Sequence, residues 1–348
     1  MAIESADVVV TGIGMVTSLG ATATATCEAW RTGCVARRAT LEELAGTSLE
    51  RAEAAALPEL DAAERLGGRR MIKYMSEAAA LGCVAAHEAC EDARVRERFR
   101  PERVGLFAGV GLAAASVNDL LPMIRESVDE DGRFSCRLFG QRSLPATNPL
   151  LSFKILANMP PCIVSMIEGI KGPNFIFSPW EGQTAAALLE AWRAVATGEV
   201  DCALAGATDN AAHPVTVVYL KQMGLLADGE YPSAGAAYVV MESAATARRD
   251  APRVYARIAA MDVRPSDGTT HNPLAVRMGR SFAAAPAILL ALACGLLHAP
   301  DGLQSRLPVR LCGADGREFR AEVKRVSDGS DRSDQSDESD RSDIEGAA

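Results

Sequence analysis

Residues 148–209 read NPLLSFKILANMPPCIVSMIEGIKGPNFIFSPWEGQTAAALLEAWRAVATGEVDCALAGATD. A short apolar run, FIF, occupies residues 175–177, and a second run, CALAGATD, occupies residues 202–209. Between them, residues 183–197 are rich in Ala and Leu, a composition that favours a helix. Short apolar strands alternating with helices are typical of layered α/β proteins. The stretch therefore predicts a buried strand, a helix and a second buried strand.

The same pattern continues on both sides of this stretch. Three further apolar runs and one helical segment extend the alternation of strands and helices. The runs are residues 7–14, 104–111 and 236–242, and the helical segment is residues 76–93. Strands this apolar are buried on both faces, so the sequence predicts an α/β protein whose sheets are covered by helices on both sides.

The chain divides into three parts by composition. Residues 1–247 hold the alternation described above, and residues 248–326 indicate a shorter second α/β half that begins at a charged loop with a proline. Residues 327–348 repeat Ser-Asp and contain almost no apolar residue, so burial cannot offset the entropy of ordering them. We expect this tail to be disordered and to contribute neither to folding nor to activity.

Charge and composition exclude several classes of function. The 348 residues are 48% hydrophobic and carry a net charge of −9, of which the tail supplies −6. The remaining −3 leaves no surplus of Lys and Arg, so we expect no binding to nucleic acid or to other polyanions. Nine scattered cysteines and four histidines without metal-ligand spacing predict neither a disulfide framework nor a metal site.

No targeting or membrane segment is expected. An acidic residue stands where a signal peptide would be basic. The longest apolar run, residues 282–297, is interrupted by Pro286 and Gly295 and is shorter than the roughly 20 residues that span a bilayer. It is interpreted as a buried core helix, and the chain is expected to be cytoplasmic and not bound to a membrane.

A resemblance to a known family rests on several of these motifs. GPN at residues 172–174, FIFSPW after it and GEVDCALAGATD follow in the order found in the β-ketoacyl synthases of the thiolase superfamily. VVVTGIGMVTSLG and LFAGVG resemble the same family, which extends the match over residues 7–242. The resemblance implies a thiolase-like layered αβαβα fold, here with a shortened C-terminal half.

The residues of the family's condensation chemistry are replaced. The resemblance places Glu181 where an active synthase has its nucleophilic cysteine at a helix N-terminus. It places Arg280 at a catalytic histidine position and Ala275 at the lysine position, and the motif of the other histidine is absent. A carboxylate cannot carry a thioester, so the resemblance implies no catalytic residue for condensation.

A thiolase-like chain without this catalytic set resembles the chain-length factors, the β-subunits of type II polyketide synthases. The resemblance implies a heterodimer with a cysteine-bearing ketosynthase α-subunit, in polyketide antibiotic or secondary-metabolite biosynthesis. The growing chain would arrive on the phosphopantetheine of an acyl carrier protein, and this chain itself would bind no cofactor. The glutamate, where glutamine is usual, and the short C-terminal half suggest the polyene-forming, highly reducing systems.

The resemblance also assigns the acyl tunnel and the dimer interface. The tunnel residues would be Leu112, Val117, Leu120, Leu121 and Ile124. The last four are spaced i, i+3, i+4, i+7 on one helix face, a pattern that ordinary core packing would also give. The interface strand would be Phe175, Ile176 and Phe177, because an edge strand so apolar requires a partner.

Two interpretations of Glu181 stay open at this point. It is either a structural group at a helix N-terminus, with Arg280 as an ion-pair partner, or a participant in chemistry. The second interpretation predicts a self-sufficient enzyme that uses Glu181 for decarboxylation or hydrolysis of acyl-carrier-protein thioesters.

Overall fold

A computed structural model describes residues 7–112, 115–226, 229–268, 272–299 and 304–326. Ten strands are present in these ranges. They are β1 (Val8–Val16), β2 (Arg38–Thr40), β3 (Glu53–Ala55), β4 (Val104–Val110), β5 (Asn174–Phe177), β6 (Cys202–Asn210), β7 (Ala234–Ser243), β8 (Ala256–Pro265), β9 (Arg306–Cys312) and β10 (Arg317–Lys324). The runs predicted at residues 7–14, 104–111, 175–177, 202–209 and 236–242 are therefore confirmed as strands.

Fourteen α-helical segments lie in the same ranges. They are α1 (Ala23–Arg31), α2 (Ala62–Arg65), α3 (Glu77–Asp92), α4 (Val95–Arg98), α5 (Val117–Glu126), α6 (Cys136–Leu138), α7 (Leu144–Ala146), α8 (Leu151–Ile155), α9 (Met159–Glu168), α10 (Glu181–Ala196), α11 (Pro214–Gln222), α12 (Ala244–Asp250), α13 (Ala275–Met278) and α14 (Ala285–His298). The helices predicted at residues 76–93, 183–197 and 282–297 are confirmed as α3, α10 and α14.

Eight strands form one mixed sheet in the order β5-β4-β6-β7-β1-β8-β10-β9. The β5, β4 and β6 strands are parallel, and every other neighbouring pair is antiparallel. The β1–β8 pairing spans only three residue pairs. The three C-terminal strands are therefore joined to the first five over a short length, and β2 and β3 form a separate small hairpin.

The helices pack in layers on this sheet. The α3 helix packs on β1, β7 and β6 from one side, together with α9. From the other side α10 and α14 pack on β6 and β7, and they also contact β8 and β10. The α14 helix is apolar on all sides, as a helix between two sheet faces must be. Its Ile288, Leu292 and Cys294 side chains belong to the main hydrophobic core.

The glycines of TGIG serve the α3–β1 contact. Gly12 and Gly14 lie inside β1. A Cβ atom at either position would collide with the backbone carbonyl groups of Ala89 and Ala85 in α3. The two glycines therefore let the helix approach the strand closely.

The outer face of β8, β10 and β9 differs from the prediction that helices cover both sides of the sheets. Within the described ranges, the helices packed on these strands are α10 and α14, on the inner face. The outward positions carry charged side chains instead, with Arg310 and Arg320 paired to Glu318. The layers thus run helix, sheet, helix, sheet. Among the described residues no helical layer covers this outer face, and its charged side chains make it compatible with water.

Two further points concern the sequence predictions. The tail at residues 327–348 lies outside the described residues, and the division at residue 247 stays a prediction. In the part of the chain that the structure describes, no helix is long and apolar enough to cross a membrane.

Candidate functional site

The N-terminus of α10 forms the centre of the site. The β5 strand ends at Phe177, Trp180 is the extended residue before the helix, and Glu181 is the first helical residue. This strand-turn-helix arrangement is the one that the sequence predicted for the nucleophile position. The Glu181 residue is only 1% exposed, so its carboxylate is held inside the protein.

Both carboxylate oxygens of Glu181 are occupied. The Arg280 guanidinium donates to Oε1 over 3.3 Å, and the backbone N–H of Ala314 donates to Oε2 over 3.1 Å. The structure therefore brings together two residues that lie 99 positions apart in the sequence. The Ala314 contact comes from the loop between β9 and β10, within the sequence CGADG of residues 312–316.

Further contacts fix Arg280 in this position. Its Nη1 atom donates to the carbonyl oxygen of Leu225 over 3.0 Å and to the carboxylate of Glu230 over 3.1 Å. The guanidinium also lies 4.5 Å from the centre of the Phe282 ring. Arg280 thus bridges the buried Glu181 and the more exposed Glu230, and its assignment to a histidine position of the family stays a prediction.

Opposing effects set the protonation of Glu181. Burial raises its pKa above the ordinary value, because a charged carboxylate loses its hydration inside the protein. Its own backbone N–H, the Arg280 charge and the Ala314 amide oppose this rise, and the net direction is upward. The group is an ion-paired carboxylate in a poorly solvated position.

A second buried carboxylate, Asp209, was not predicted as a site residue. It lies at the end of β6, where Oδ2 accepts a hydrogen bond from the backbone N–H of Ala283 over 3.0 Å. Its Oδ1 atom has no hydrogen-bond partner among the described residues. Burial and, less strongly, the Glu181 charge raise its pKa well above the ordinary value. The strand-end aspartate of CALAGATD was the signal that could have identified it.

The loop residue Asp315 is a third carboxylate near this cluster. A Cβ atom on Gly313 would lie 2.8 Å from the Cβ of Glu181 and 2.6 Å from Oδ1 of Asp315, which is closer than side chains normally pack. The Asp315 charge also raises the pKa of Glu181. Among the described residues, however, no group of three or more His, Cys, Asp or Glu side chains is arranged to hold a metal ion.

Four of the five predicted tunnel residues lie on one partly exposed helix. Val117, Leu120, Leu121 and Ile124 are on α5, which packs against residues 139–146, and Leu112 follows β4. The helix includes Pro122 and has no buried residue, and Ile124 is 50% exposed. The described chain therefore does not enclose these side chains in a tunnel of its own, and their role stays a prediction.

The β5 strand is the edge strand of the sheet. It pairs with β4 on one side, while its other side has no neighbouring strand among the described residues. Phe175 is 47% exposed and Ile176 is 38% exposed. A groove of about 330 Å³ lies beside this edge, lined by Phe107, Phe175 and Phe177 together with residues of α10.

Many of the exposed apolar side chains belong to the segment of the sequence that ends in β5. Of the fifteen large exposed apolar residues in the described ranges, nine fall within residues 124–176. Isolated apolar residues on a surface are normal, and only a patch that is contiguous in space marks an interaction surface. The interface role of Phe175, Ile176 and Phe177 itself stays a prediction.

Comparisons with known proteins identify the family. The beta-ketoacyl synthase N-terminal domain matches residues 5–246, which is more than half of the chain. The chain therefore belongs to the beta-ketoacyl synthase family. It is 26% identical over 290 residues to the mitochondrial 3-oxoacyl-acyl-carrier-protein synthase of Arabidopsis thaliana. That match includes 72% of this chain and 59% of the relative's length.

Solved structures show the same fold. One is a chain of AntDE:AntF, described as a type II PKS acyl-carrier protein in complex with its ketosynthase bound to the hexaketide. Its TM-score is 0.73 at 15% identity, and the match covers 92% of this chain and 100% of that chain. The ishigamide ketosynthase/chain length factor has a TM-score of 0.71 at 17% identity, with 93% and 100% covered. A beta-ketoacyl synthase from Burkholderia phymatum STM815 has a TM-score of 0.67 at 17% identity, with 92% and 100% covered.

These likenesses confirm the predicted thiolase-like α/β fold of the ketosynthases. The fold is related to that of type II polyketide ketosynthase and chain-length-factor complexes and to that of fatty-acid 3-oxoacyl-carrier-protein synthases.

Proposed function

We propose that this chain is a non-catalytic chain-length factor. It pairs with a cysteine-bearing ketosynthase and shapes the acyl tunnel during elongation of a polyketide, in a highly reducing, polyene-forming system. The acyl carrier protein brings the growing chain on its phosphopantetheine, and this subunit holds no cofactor of its own. The nine free cysteines are compatible with a protein of the reducing cytoplasm.

Glu181 carries this proposal. At the helix N-terminus where a ketosynthase presents a thiolate, this chain presents a carboxylate whose two oxygens are both engaged. A thiolate can accept an acyl group as a thioester and release it, whereas a carboxylate has no sulfur and cannot form this thioester. The site therefore cannot perform the transfer that begins condensation.

The apolar edge strand supports pairing with another subunit. An unpaired edge with exposed Phe175 and Ile176 is prone to aggregation unless a partner covers it. A partner strand paired antiparallel to β5 would continue the sheet and cover both side chains. One of the similar solved structures is described as a ketosynthase/chain length factor, and another contains an acyl-carrier protein with its ketosynthase.

The test of pairing is Ile176→Asp in the chain co-expressed with its ketosynthase. The buried charge should prevent assembly, and gel filtration should then recover the two subunits separately. Val276→Asp is the matched control, because Val276 is 78% exposed on α13, away from the edge strand. Normal assembly of the Ile176→Asp variant would show that β5 does not form the interface.

The test of length control uses Leu120→Ala and Ile124→Ala in the assembled pair. Removing side-chain volume from the tunnel wall should lengthen the product by about two to three carbons, and Leu120→Phe should shorten it. Since both residues are partly exposed in this chain, the truncations should cost less stability than the roughly 2 to 5 kcal/mol of a buried position. Mass spectrometry gives the product length. An unchanged product distribution in assembled variants would place the tunnel elsewhere.

The alternative function, in which Glu181 itself catalyses decarboxylation or thioester hydrolysis, has less support because the carboxylate is buried and already accepts hydrogen bonds from Arg280 and Ala314. Glu181→Gln separates the two functions. A chain-length factor should keep the turnover of its partner ketosynthase, once gel filtration has shown assembly. Loss of turnover in an assembled complex would instead make Glu181 a catalytic residue.

A further inference from the structure

A basic cleft is lined by residues from the beginning, middle and end of the described chain, and it includes none of Glu181, Arg280 and Ala314. Its charged lining residues are Asp7, Arg248, Arg257, Arg306, Lys324 and Arg325. The cleft has a volume of about 600 Å³, and Val326, the last described residue, forms part of its wall. Five cations against one acid make it a local concentration of positive charge that the net charge of the chain does not reveal.

The described acids neutralise only part of this charge. Arg257 pairs with Asp7 over 3.1 Å. Arg306 and Lys324 share a single carboxylate, Glu322, at 3.6 and 3.9 Å. Arg248 is exposed at the end of α12 and has no ion-pair partner among the described residues. The cleft therefore keeps a positive potential that favours an anion.

The segment that follows Val326 has the complementary charge. Residues 327–348 contain eight acids and two arginines, a net charge of −6. Residues 327–344 consist of six consecutive Ser-Asp-X triplets, SDG, SDR, SDQ, SDE, SDR and SDI. In an extended polyproline-type conformation with three residues per turn, every third residue falls on the same edge, about 9 Å from the next. Such a conformation would align the six aspartates.

We propose that the Ser-Asp tail docks on the basic cleft of its own chain. The tail starts at the cleft wall, so its first aspartates reach the cations without a long connecting segment. Exposed ion pairs are individually weak, but a tether raises the effective concentration of the tail to the millimolar range. The tail needs no apolar core to dock, which is compatible with its composition. A docked tail keeps other anions out of the cleft.

The experiment uses carbodiimide coupling, which joins a carboxylate to an amine as an amide. Lys324 is the only lysine among the described residues that line the cleft. In the full chain, within its ketosynthase complex, peptide mass spectrometry should find Lys324 coupled to Asp334 and Asp337 at low salt. These positions are far enough along the tail to exclude simple sequence proximity, and the Lys324–Glu322 product serves as the internal reference.

Charge reversal and salt test whether the cleft causes this coupling. Arg248→Glu with Arg306→Glu should lower the yield at Asp334 and Asp337 by at least about fivefold, and 0.5 M NaCl should do the same in the unchanged chain. Arg51→Glu with Arg70→Glu is the matched control, since both arginines are exposed outside the cleft and the change in net charge is equal. The control pair should leave the yield unchanged.

Three results would overturn the proposal. One is a coupling yield that changes with neither charge reversal nor salt, because the covalent tether alone would then explain the coupling. Another is coupling between isotope-labelled and unlabelled chains, which would assign the tail to a second copy. The third is a shift of the Lys324 coupling from the tail to carboxylates of added acyl carrier protein, which would show that the cleft binds a partner. The salt titration uses the unchanged chain, so it still tests the proposal if a variant fails to fold.

Discussion

Removal of the Arg280 guanidinium should destabilise the protein in a pH-dependent manner. Two unit charges 3.3 Å apart attract each other by about 5 kcal/mol at an effective dielectric constant of about 20. Loss of one partner from a buried pair typically costs about 3 to 5 kcal/mol. We therefore expect Arg280→Met to lower the free energy of unfolding by about 3 kcal/mol at pH 7.5, since Glu181 can relieve part of the cost by protonation.

The pH dependence follows from the direction of the Glu181 pKa. Because the folded-state pKa is raised above the unfolded value, ionisation of Glu181 opposes folding. This cost begins as pH rises through the unfolded pKa of about 4.3 and grows by up to about 1.4 kcal/mol per pH unit until the folded pKa is passed. Without Arg280 the folded pKa rises further, so the deficit of Arg280→Met should be larger at pH 8 than at pH 5.

The assay is urea unfolding followed by tryptophan fluorescence, with Trp180 beside the pair as a reporter and every variant in the same assembly state. Glu181→Gln combined with Arg280→Met should recover at least half of the loss and remove the pH dependence. Glu230→Gln, which removes the other carboxylate bonded to Arg280, should cost less than about 1 kcal/mol because Glu230 is partly solvated. A deficit below about 1 kcal/mol for Arg280→Met, equal at pH 5 and pH 8, would refute the reasoning.

Three further outcomes are expected elsewhere in the molecule. Ile288→Ala, in the helical layer between the sheet faces, should lower the free energy of unfolding by about 2 to 5 kcal/mol in urea titrations, and a loss below 1 kcal/mol would mean that this layer is loosely packed. Burial raises the pKa of Cys27 to about 11, so at pH 8 iodoacetamide should alkylate the exposed Cys34 much faster than Cys27. Peptide mass spectrometry measures the two rates, and equal rates would contradict the buried position of Cys27. Gly111→Ala should lower the melting temperature by several degrees, because its Cβ would collide with the Asp209 carboxylate; an unchanged melting temperature would show that Asp209 can move.

Local pattern was sufficient for the elements and for one residue of the site. The apolar runs around β4, β5 and β6 and the helix of residues 183–197 depend on side-chain periodicity and propensity, which neighbouring residues determine. The place of Glu181 at the start of α10 follows from the same local order, because a strand, a short turn and a helix are adjacent in the chain. The resemblance then indicated the family, which the comparison over residues 5–246 shows.

Tertiary structure decided what surrounds Glu181 and how the second half of the fold ends. Arg280, Ala314 and Asp209 reach the site from separate elements, and their contacts depend on how the C-terminal strands join β1 and on where the β9–β10 loop lies. The sequence suggested sheets covered on both faces, yet the outer face of β8, β10 and β9 carries ion pairs instead of a helical layer. The basic cleft likewise combines residues from the beginning, middle and end of the chain. Periodicity reports which face of an element is apolar, whereas only the packed chain determines which distant charges meet, because Coulomb interactions and burial depend on distances in space.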